Sequence, residues 1–299
     1  MKLLSFRYEG KEGFGPKVKK EDAVWDLVAI QQQLEVLPAF PTLLIEGIPQ
    51  GMEFVEQIRK LTEAAVQSDR SEEFKHSYAE IEWLAPISKT PKNIIAIGKN
   101  YADHAKEMGG EAPTDLVVFT KASTSISADG ETVSVHSDVT DSYDYEGELA
   151  VVIGKAGHKI PKQMAYDYVF GYTIANDLTA RDIQAKHQQY FLGKSLPGSC
   201  PIGPYIVTKD EIPQSQNLSI VTKVNDEIRQ NGNTENMIRR VDELIAEVSK
   251  YVALEPGDIL LTGTPAGVGK GFTPPKFLKA GDTVKVSIES IGTLVTHLS

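Results

Sequence analysis

The chain has 299 residues, with 31 Lys and Arg against 41 Asp and Glu, a formal charge of −10. Its length predicts about two domains, or one large domain with an appendage, and is ample for a sizeable core. The carboxylate excess excludes counterion release from phosphates as a general driving force, so neither nucleic acid nor an anionic membrane is an expected partner.

In chain order, residues 1–88 read as a small α+β N-terminal domain. It opens on a strand at 3–8, carries an amphipathic helix at 52–67 (Phe54, Val55, Ile58, Leu61, Ala65) and closes at 83–87. The polar SKTPK stretch at 88–92 reads as a linker. From residue 89 to 299 the pattern changes to short apolar runs bounded by Gly, Pro, Asn and Asp. Strands are predicted at 94–97, 117–119, 149–153, 168–174, 205–207, 220–224, 259–261, 284–288 and 293–297. Two helices interrupt them, at 180–191 and at 241–252, the second with Leu244, Ile245, Val248 and Val252 on one face. This is a mixed, mainly β body and not a doubly wound sheet. No apolar run approaches the length of about 18 residues that a membrane span needs. Leu3, Leu4 and Phe6 are followed too soon by Arg7 and Glu9 for a signal sequence. Cys200, the single cysteine, has no partner for an internal disulfide and no CxxC accompanies it. A soluble, cytoplasmic protein is expected.

Two stretches imitate phosphate loops and fail. TPAGVGKG at 264–271 has Thr264 where the first glycine belongs and Gly271 where a hydroxyl residue belongs. Gly193-Lys194-Ser195 is preceded at the required position by Gln188. Neither HExxH nor GxSxG occurs.

The segment DYEGELAVVIG at 144–154 carries more information. In a strand, Glu146 and Glu148 point the same way across the bare Gly147, and the strand then enters an apolar stretch where unpaired carboxylates are costly. Either a positive charge sits there or the pair forms a solvated acidic rim. Asp177, after the apolar run 172–175 and before a predicted helix, is a third candidate ligand, its alternative being a helix N-cap. Three oxygen ligands without thiolate or a histidine cluster favour Mg²⁺ or Mn²⁺ over zinc. His104 and Glu107, three apart on a short predicted helix, could form a water-activating pair in which the carboxylate orients one ring nitrogen.

Five stretches, 94–108 (IIAIGKNYADHAKEM), 145–155 (YEGELAVVIGK), 171–184 (GYTIANDLTARDIQ), 191–201 (FLGKSLPGSCP) and 257–269 (GDILLTGTPAGVG), resemble the fumarylacetoacetate hydrolase superfamily in composition and order. The resemblance covers residues 90–299; residues 1–88 match the family's variable N-terminal domain more loosely. It implies a mixed β-sandwich roll, a divalent metal on Glu146, Glu148 and Asp177, and a mobile lid carrying His104 and Glu107. It further implies that Lys194 donates to a substrate oxygen, that Arg181 and Gln184 contact the substrate or support the metal's waters, that Thr264 binds a substrate oxygen through its backbone or hydroxyl, and that Lys121 lines the cavity. For Arg181 the plain alternative is an ion pair with Asp177 or Asp182. Where fumarylacetoacetate hydrolase itself has a ligand aspartate seven residues before its histidine, this chain has Ile97. That departure makes it more similar to the smaller acylpyruvase, oxaloacetate decarboxylase and 2-hydroxyhepta-2,4-diene-1,7-dioate isomerase branch. The implied activity uses Mg²⁺ or Mn²⁺ on a 2-oxo acid through a metal-bound enolate. Its outcomes are hydrolytic C–C cleavage of an acylpyruvate, decarboxylation of oxaloacetate, or isomerisation or decarboxylation of an unsaturated 2-oxo dioate from aromatic breakdown. A homodimer is the assembly the resemblance implies. A metal-binding scaffold with secondary catalysis is the alternative of a different class.

Overall fold

The strand 147–153 (GELAVVI) is buried on both faces, which explains why it reads as a continuous apolar run and not as an alternation. It lies near the middle of a ten-stranded mixed sheet in the computed structural model, which describes residues 1–299. The main path of that sheet runs Lys11–Pro16, Lys2–Tyr8, Cys200–Thr208, Val169–Asn176, Gly147–Ile153, Ile259–Leu261, Ile94–Gly98, Val117–Lys121. A five-stranded sheet, Glu227–Asn233, Ser219–Val224, Thr283–Ile288, Gly292–Leu298 and Thr132–Val133, covers one face. Leu149, Val151 and Ile153 join Ile220, Val284 and Val286 in the core between the sheets. Ala150 and Val152, pointing the opposite way, meet Phe54, Val55, Ile58 and Leu61 of the helix Met52–Gln67 on the other face. The mainly β character, with its α+β N-terminal part, is as the sequence predicts.

Residues 1–88 are built into the main sheet and do not hang from it. Lys2 and Leu3 pair with Val207 and Ile206, and Ser5 to Arg7 pair with Leu84 to Glu82. The helix predicted over 180–191 is two short helices, Arg181–Lys186 and Phe191–Lys194. The chain reverses between them, with Gln188 in the left-handed region at φ 56°. The two turns pack at backbone contact: a Cβ on Gly193 would stand 2.6 Å from the Gln184 nitrogen and 2.8 Å from the Ala180 oxygen. The predicted helix over 241–252 ends at Ser249. The strand expected at 205–207 runs from Cys200 to Thr208, its first half disguised by Pro201 and Pro204.

Gly147 is where the two sheets come closest to the acidic strand end. A Cβ there would lie 2.4 Å from Thr222 Oγ1 and 2.8 Å from Val286 Cγ1, both held in the facing sheet. Gly147→Ala is therefore expected to destabilise the fold by about 1–3 kcal/mol through overpacking. A thermal or urea unfolding transition indistinguishable from wild type would show that the sheets can give way at this point.

Candidate active site

Antiparallel pairing sets the geometry. Gly147 faces Asn176 and Glu148 faces Ala175, so the register continues to put Glu146 beside Asp177, whose N–H donates to the Glu146 carbonyl at 2.8 Å. The Glu146 N–H in turn donates to Asn176 Oδ1 at 3.1 Å. One carboxylate oxygen from each of Glu146, Glu148 and Asp177 lies within 4.8 Å of the others, and all three residues are buried. Asp177 does not cap the following helix, whose N-cap is Ala180.

Cations surround this cluster. The Lys194 ammonium is 2.7 Å from Glu146 Oε2 and 2.7 Å from Asp177 Oδ2. Lys121 sits 2.7 Å from Asp177 Oδ1 and donates to the Leu178 carbonyl. Arg181 reaches Glu146 Oε1 at 2.7 Å and Asp144 Oδ2 at 2.8 Å, so its partners are not the Asp177 or Asp182 that proximity in sequence suggests. Burial alone would push Glu146 up, yet Lys194 and Arg181 outweigh it and hold its carboxyl far below the usual range. Glu148 moves the other way. Burial raises it, Asp177 and Glu146 raise it further, and its one hydrogen bond comes from the Gly263 N–H at 2.7 Å.

The chemistry of this donor set fits a divalent cation. Four buried carboxylates, Asp144, Glu146, Glu148 and Asp177, face three buried cations, Lys121, Arg181 and Lys194, and Glu148 has no cationic partner. A buried carboxylate without a counter-charge is costly, and a hard cation with oxygen ligands relieves that cost.

His104 lies on the short helix Ala102–Glu107, buried, with Nδ1 3.2 Å from Glu107 Oε2. The other Glu107 oxygen accepts the Gly267 N–H at 2.9 Å, so the carboxylate is fixed at both ends. His104 Nε2 has no protein partner. A cavity of about 210 Å³ brings His104, Glu146, Glu148, Arg181, Gln184, Lys194 and Thr264 to one space. Gln184 Oε1 is 3.4 Å from Arg181 Nη1, one turn away on the same helix. Arg181 Nη2 is buried with no hydrogen-bond partner, an unspent donor in the wall of the site.

One residue expected to line the cavity sits differently from the sequence expectation. Lys121 is fully buried behind Asp177 and is absent from the cavity lining, so its place is that of a counter-charge. The Thr264 hydroxyl donates to the Gly147 carbonyl at 2.9 Å and accepts from Gln230 Nε2 at 2.7 Å, which commits its proton to the strand, while the residue lines the cavity. Ile97 lines the cavity and presents an apolar side chain there.

Other residues of the site escaped the sequence reading. Asp144 takes the Gly269 and Lys270 N–H groups at 2.7 and 3.1 Å as well as Arg181, tying the glycine-rich loop to the acidic segment 144–148. Gln230 accepts the Gly147 N–H and donates to Thr264 and the Pro265 carbonyl. Asn100 bonds the Thr262 and Arg239 carbonyls and the Arg239 N–H, anchoring the start of the His104 helix. Asp144 is next to the acidic motif and could have been noticed; Gln230 lies in a polar strand that carries no signal.

Known proteins resemble this chain in sequence and fold. The family model described as fumarylacetoacetate (FAA) hydrolase C-terminal matches residues 93–299. An uncharacterized protein of Staphylococcus aureus is 55% identical over 301 residues, with all of both chains covered. The solved fumarylacetoacetate hydrolase of Exiguobacterium antarcticum superposes with a TM-score of 0.82 at 38% identity, covering 100% of this chain and 99% of that one. The 5-carboxymethyl-2-hydroxymuconate delta-isomerase of Mycobacterium smegmatis gives 0.74 at 31% identity, covering 100% and 98%. With the family model spanning every buried charge of the site and full-length relatives beside it, the chain belongs to the fumarylacetoacetate hydrolase superfamily.

Proposed function

We propose that this protein is a divalent-metal-dependent enzyme acting on 2-oxo acids. Its leading reaction in this reading is hydrolytic C–C cleavage of an acylpyruvate-type 1,3-diketo acid, and decarboxylation of oxaloacetate is a second reaction of the same site. The observation that carries the reading is one small cavity lined by Glu146, Glu148 and His104, with Asp177 completing the carboxylate cluster and Glu107 held against one ring nitrogen of His104 while the other has no protein partner. A Mg²⁺ or Mn²⁺ ion on Glu146, Glu148 and Asp177 would supply Lewis acidity toward the carboxylate and 2-oxo oxygens of the substrate.

The protein's own groups do the rest. His104 Nε2 takes a proton from water, while Glu107, held by Gly267, keeps the ring oriented and stabilises the imidazolium. The hydroxide adds to the distal carbonyl, and the bond between that carbon and C3 breaks. A carboxylic acid leaves, and the imidazolium proton passes to the pyruvate enolate. An ammonium has three donors; carboxylates take two of Lys194's, leaving one for the oxyanion of the tetrahedral intermediate. Arg181 and Gln184, both in the cavity lining, hold the substrate's polar end in this reading. Loss of carbon dioxide from oxaloacetate reaches the same enolate without activated water. Turnover of an acylpyruvate, of oxaloacetate and of an unsaturated 2-oxo dioate, each with Mn²⁺ and with chelator, tests the proposal. Absence of metal-dependent loss of all three would overturn it.

A thermal prediction follows from Glu148. Burial and the neighbouring Asp177 and Glu146 raise the Glu148 carboxyl in the folded, metal-free protein, so the stability tied to its protonated form is lost as pH rises through that raised value. Cation binding displaces the proton and is therefore favoured at higher pH. At about a hundredfold excess over Kd, Mn²⁺ is expected to stabilise the fold by about 2.7 kcal/mol. The increase in Tm at fixed Mn²⁺ should be larger at pH 8 than at pH 6; the reverse order would contradict the assignment of Glu148 as a ligand.

A further inference from the structure

The loop 263–271 is fastened to the acidic segment 144–148 along its length. Glu148 Oε2 accepts the Gly263 N–H and the Gly147 carbonyl accepts the Thr264 hydroxyl. The Tyr145 hydroxyl donates to the Gly267 carbonyl at 2.8 Å, and Asp144 takes the N–H groups of Gly269 and Lys270. The contacts follow one another in order, with the two segments running in opposite directions. The same loop grips Glu107, through the Gly267 N–H at 2.9 Å and through close packing at Gly271. These two glycines are needed for different reasons. Gly267 lies in the left-handed region at φ 105°, and a Cβ there would overlap the Arg229 carbonyl, so the backbone itself demands glycine. Gly271 is exposed and its φ lies outside that region, yet the three atoms nearest to a Cβ there, all in overlap with it, are Oε1, Cδ and Cγ of Glu107. The bare Cα at position 271 therefore serves the Glu107 side chain and not the course of the loop.

We propose that Gly271 and Tyr145 are positioning residues for the His104–Glu107 pair, acting through this loop. Gly271 leaves Glu107 the space from which its Oε2 reaches His104 Nδ1, and Tyr145 holds Gly267, whose N–H fixes the other carboxylate oxygen. Because the remainder of the loop is bonded to residues 144–148, the imidazole is set at a fixed place relative to Glu146 and Glu148. This rests on the reading of His104 as the base that activates water. Neither Gly271 nor Tyr145 lines the cavity, so neither is a catalytic residue.

The test reads the imidazole by NMR of histidine-labelled protein and the reaction by kinetics. In the wild type the Nδ1–H of His104, identified by its absence from His104→Ala, is expected as a solvent-protected signal held by Glu107. Gly271→Ala should abolish that signal and Tyr145→Phe should weaken it. In Gly271→Ala, kcat for hydrolysis of an acylpyruvate should fall about 10- to 100-fold, and decarboxylation of oxaloacetate far less. In a Glu107→Ala background, where the added methyl has room, Gly271→Ala should cost nothing further, which a general disturbance of the loop would not reproduce. Absence of the signal from the wild type, its persistence in Gly271→Ala, or an equal cost of Gly271→Ala with and without the Glu107 side chain would overturn the positioning role, and a signal at full strength in Tyr145→Phe would overturn it for Tyr145. Because the signal is read without turnover, its loss in Gly271→Ala of a protein whose wild type hydrolyses no acylpyruvate would support the positioning role and contradict the proposed reaction.

Discussion

Glu148→Ala is expected to abolish every metal-dependent activity, with a loss on the order of 10³-fold or more in kcat/KM, because it removes a ligand and not merely a contact. The same change should leave a folded protein. It deletes the one buried carboxylate of the cluster that has no cationic partner, so the metal-free variant is expected to be at least as stable as the metal-free wild type. Mn²⁺ should then no longer raise Tm. Activity paired with a retained Mn²⁺ response in Glu148→Ala would mean that the cation sits elsewhere. Glu146 is a poorer choice for this experiment, since its removal also takes one of two carboxylate partners from each of Arg181 and Lys194.

His104→Ala separates the two reaction classes. Hydrolysis of an acylpyruvate needs a proton taken from water, and losing the general base should lower kcat by about 10²–10⁴-fold. Decarboxylation of oxaloacetate needs no activated water and should fall far less. Glu107→Gln keeps the side chain's shape and its Gly267 contact but removes the charge facing the imidazolium, so it should reduce hydrolysis in the same direction to a smaller extent. If His104→Ala slows both reactions equally, the histidine is not the water activator, and a role in closing the site takes its place.

Much of the inner site is legible in the chain because its logic is local. Glu146 and Glu148 are two apart at the end of one strand, and Asp177 follows a strand of matching apolar character that proves to be its antiparallel neighbour. His104 and Glu107 meet across one turn of a short helix, as their spacing requires. What the sequence hides is long-range. Lys121 reaches Asp177 from a strand 56 positions away and Gln230 reaches Gly147 from 83 away, and neither spacing has a periodic signature. Arg181 looks like a partner for the nearby Asp182, but that carboxylate is taken by the Thr140 hydroxyl and the Arg181 guanidinium turns inward to Asp144.

The fold shows the same division. The helix Met52–Gln67 lies where its apolar stripe puts it. The break after Lys186 is invisible because the left-handed residue is a glutamine, and the reversal it creates is what returns Lys194 to Asp177. The N-terminal strands read as a module of their own, since pairing between Leu3 and Ile206 leaves no trace in either segment alone.

In the proposed site Glu146, Glu148 and Asp177 jointly hold a divalent cation on which a 2-oxo acid is recognised. Anomalous diffraction from a crystal grown with Mn²⁺ and oxalate tests it most directly. One strong anomalous peak is expected, with carboxylate oxygens of all three residues at about 2.0–2.4 Å and both oxalate oxygens in the remaining positions. A cluster still closed by Lys194 under saturating Mn²⁺, with no anomalous peak among the three carboxylates, would contradict it.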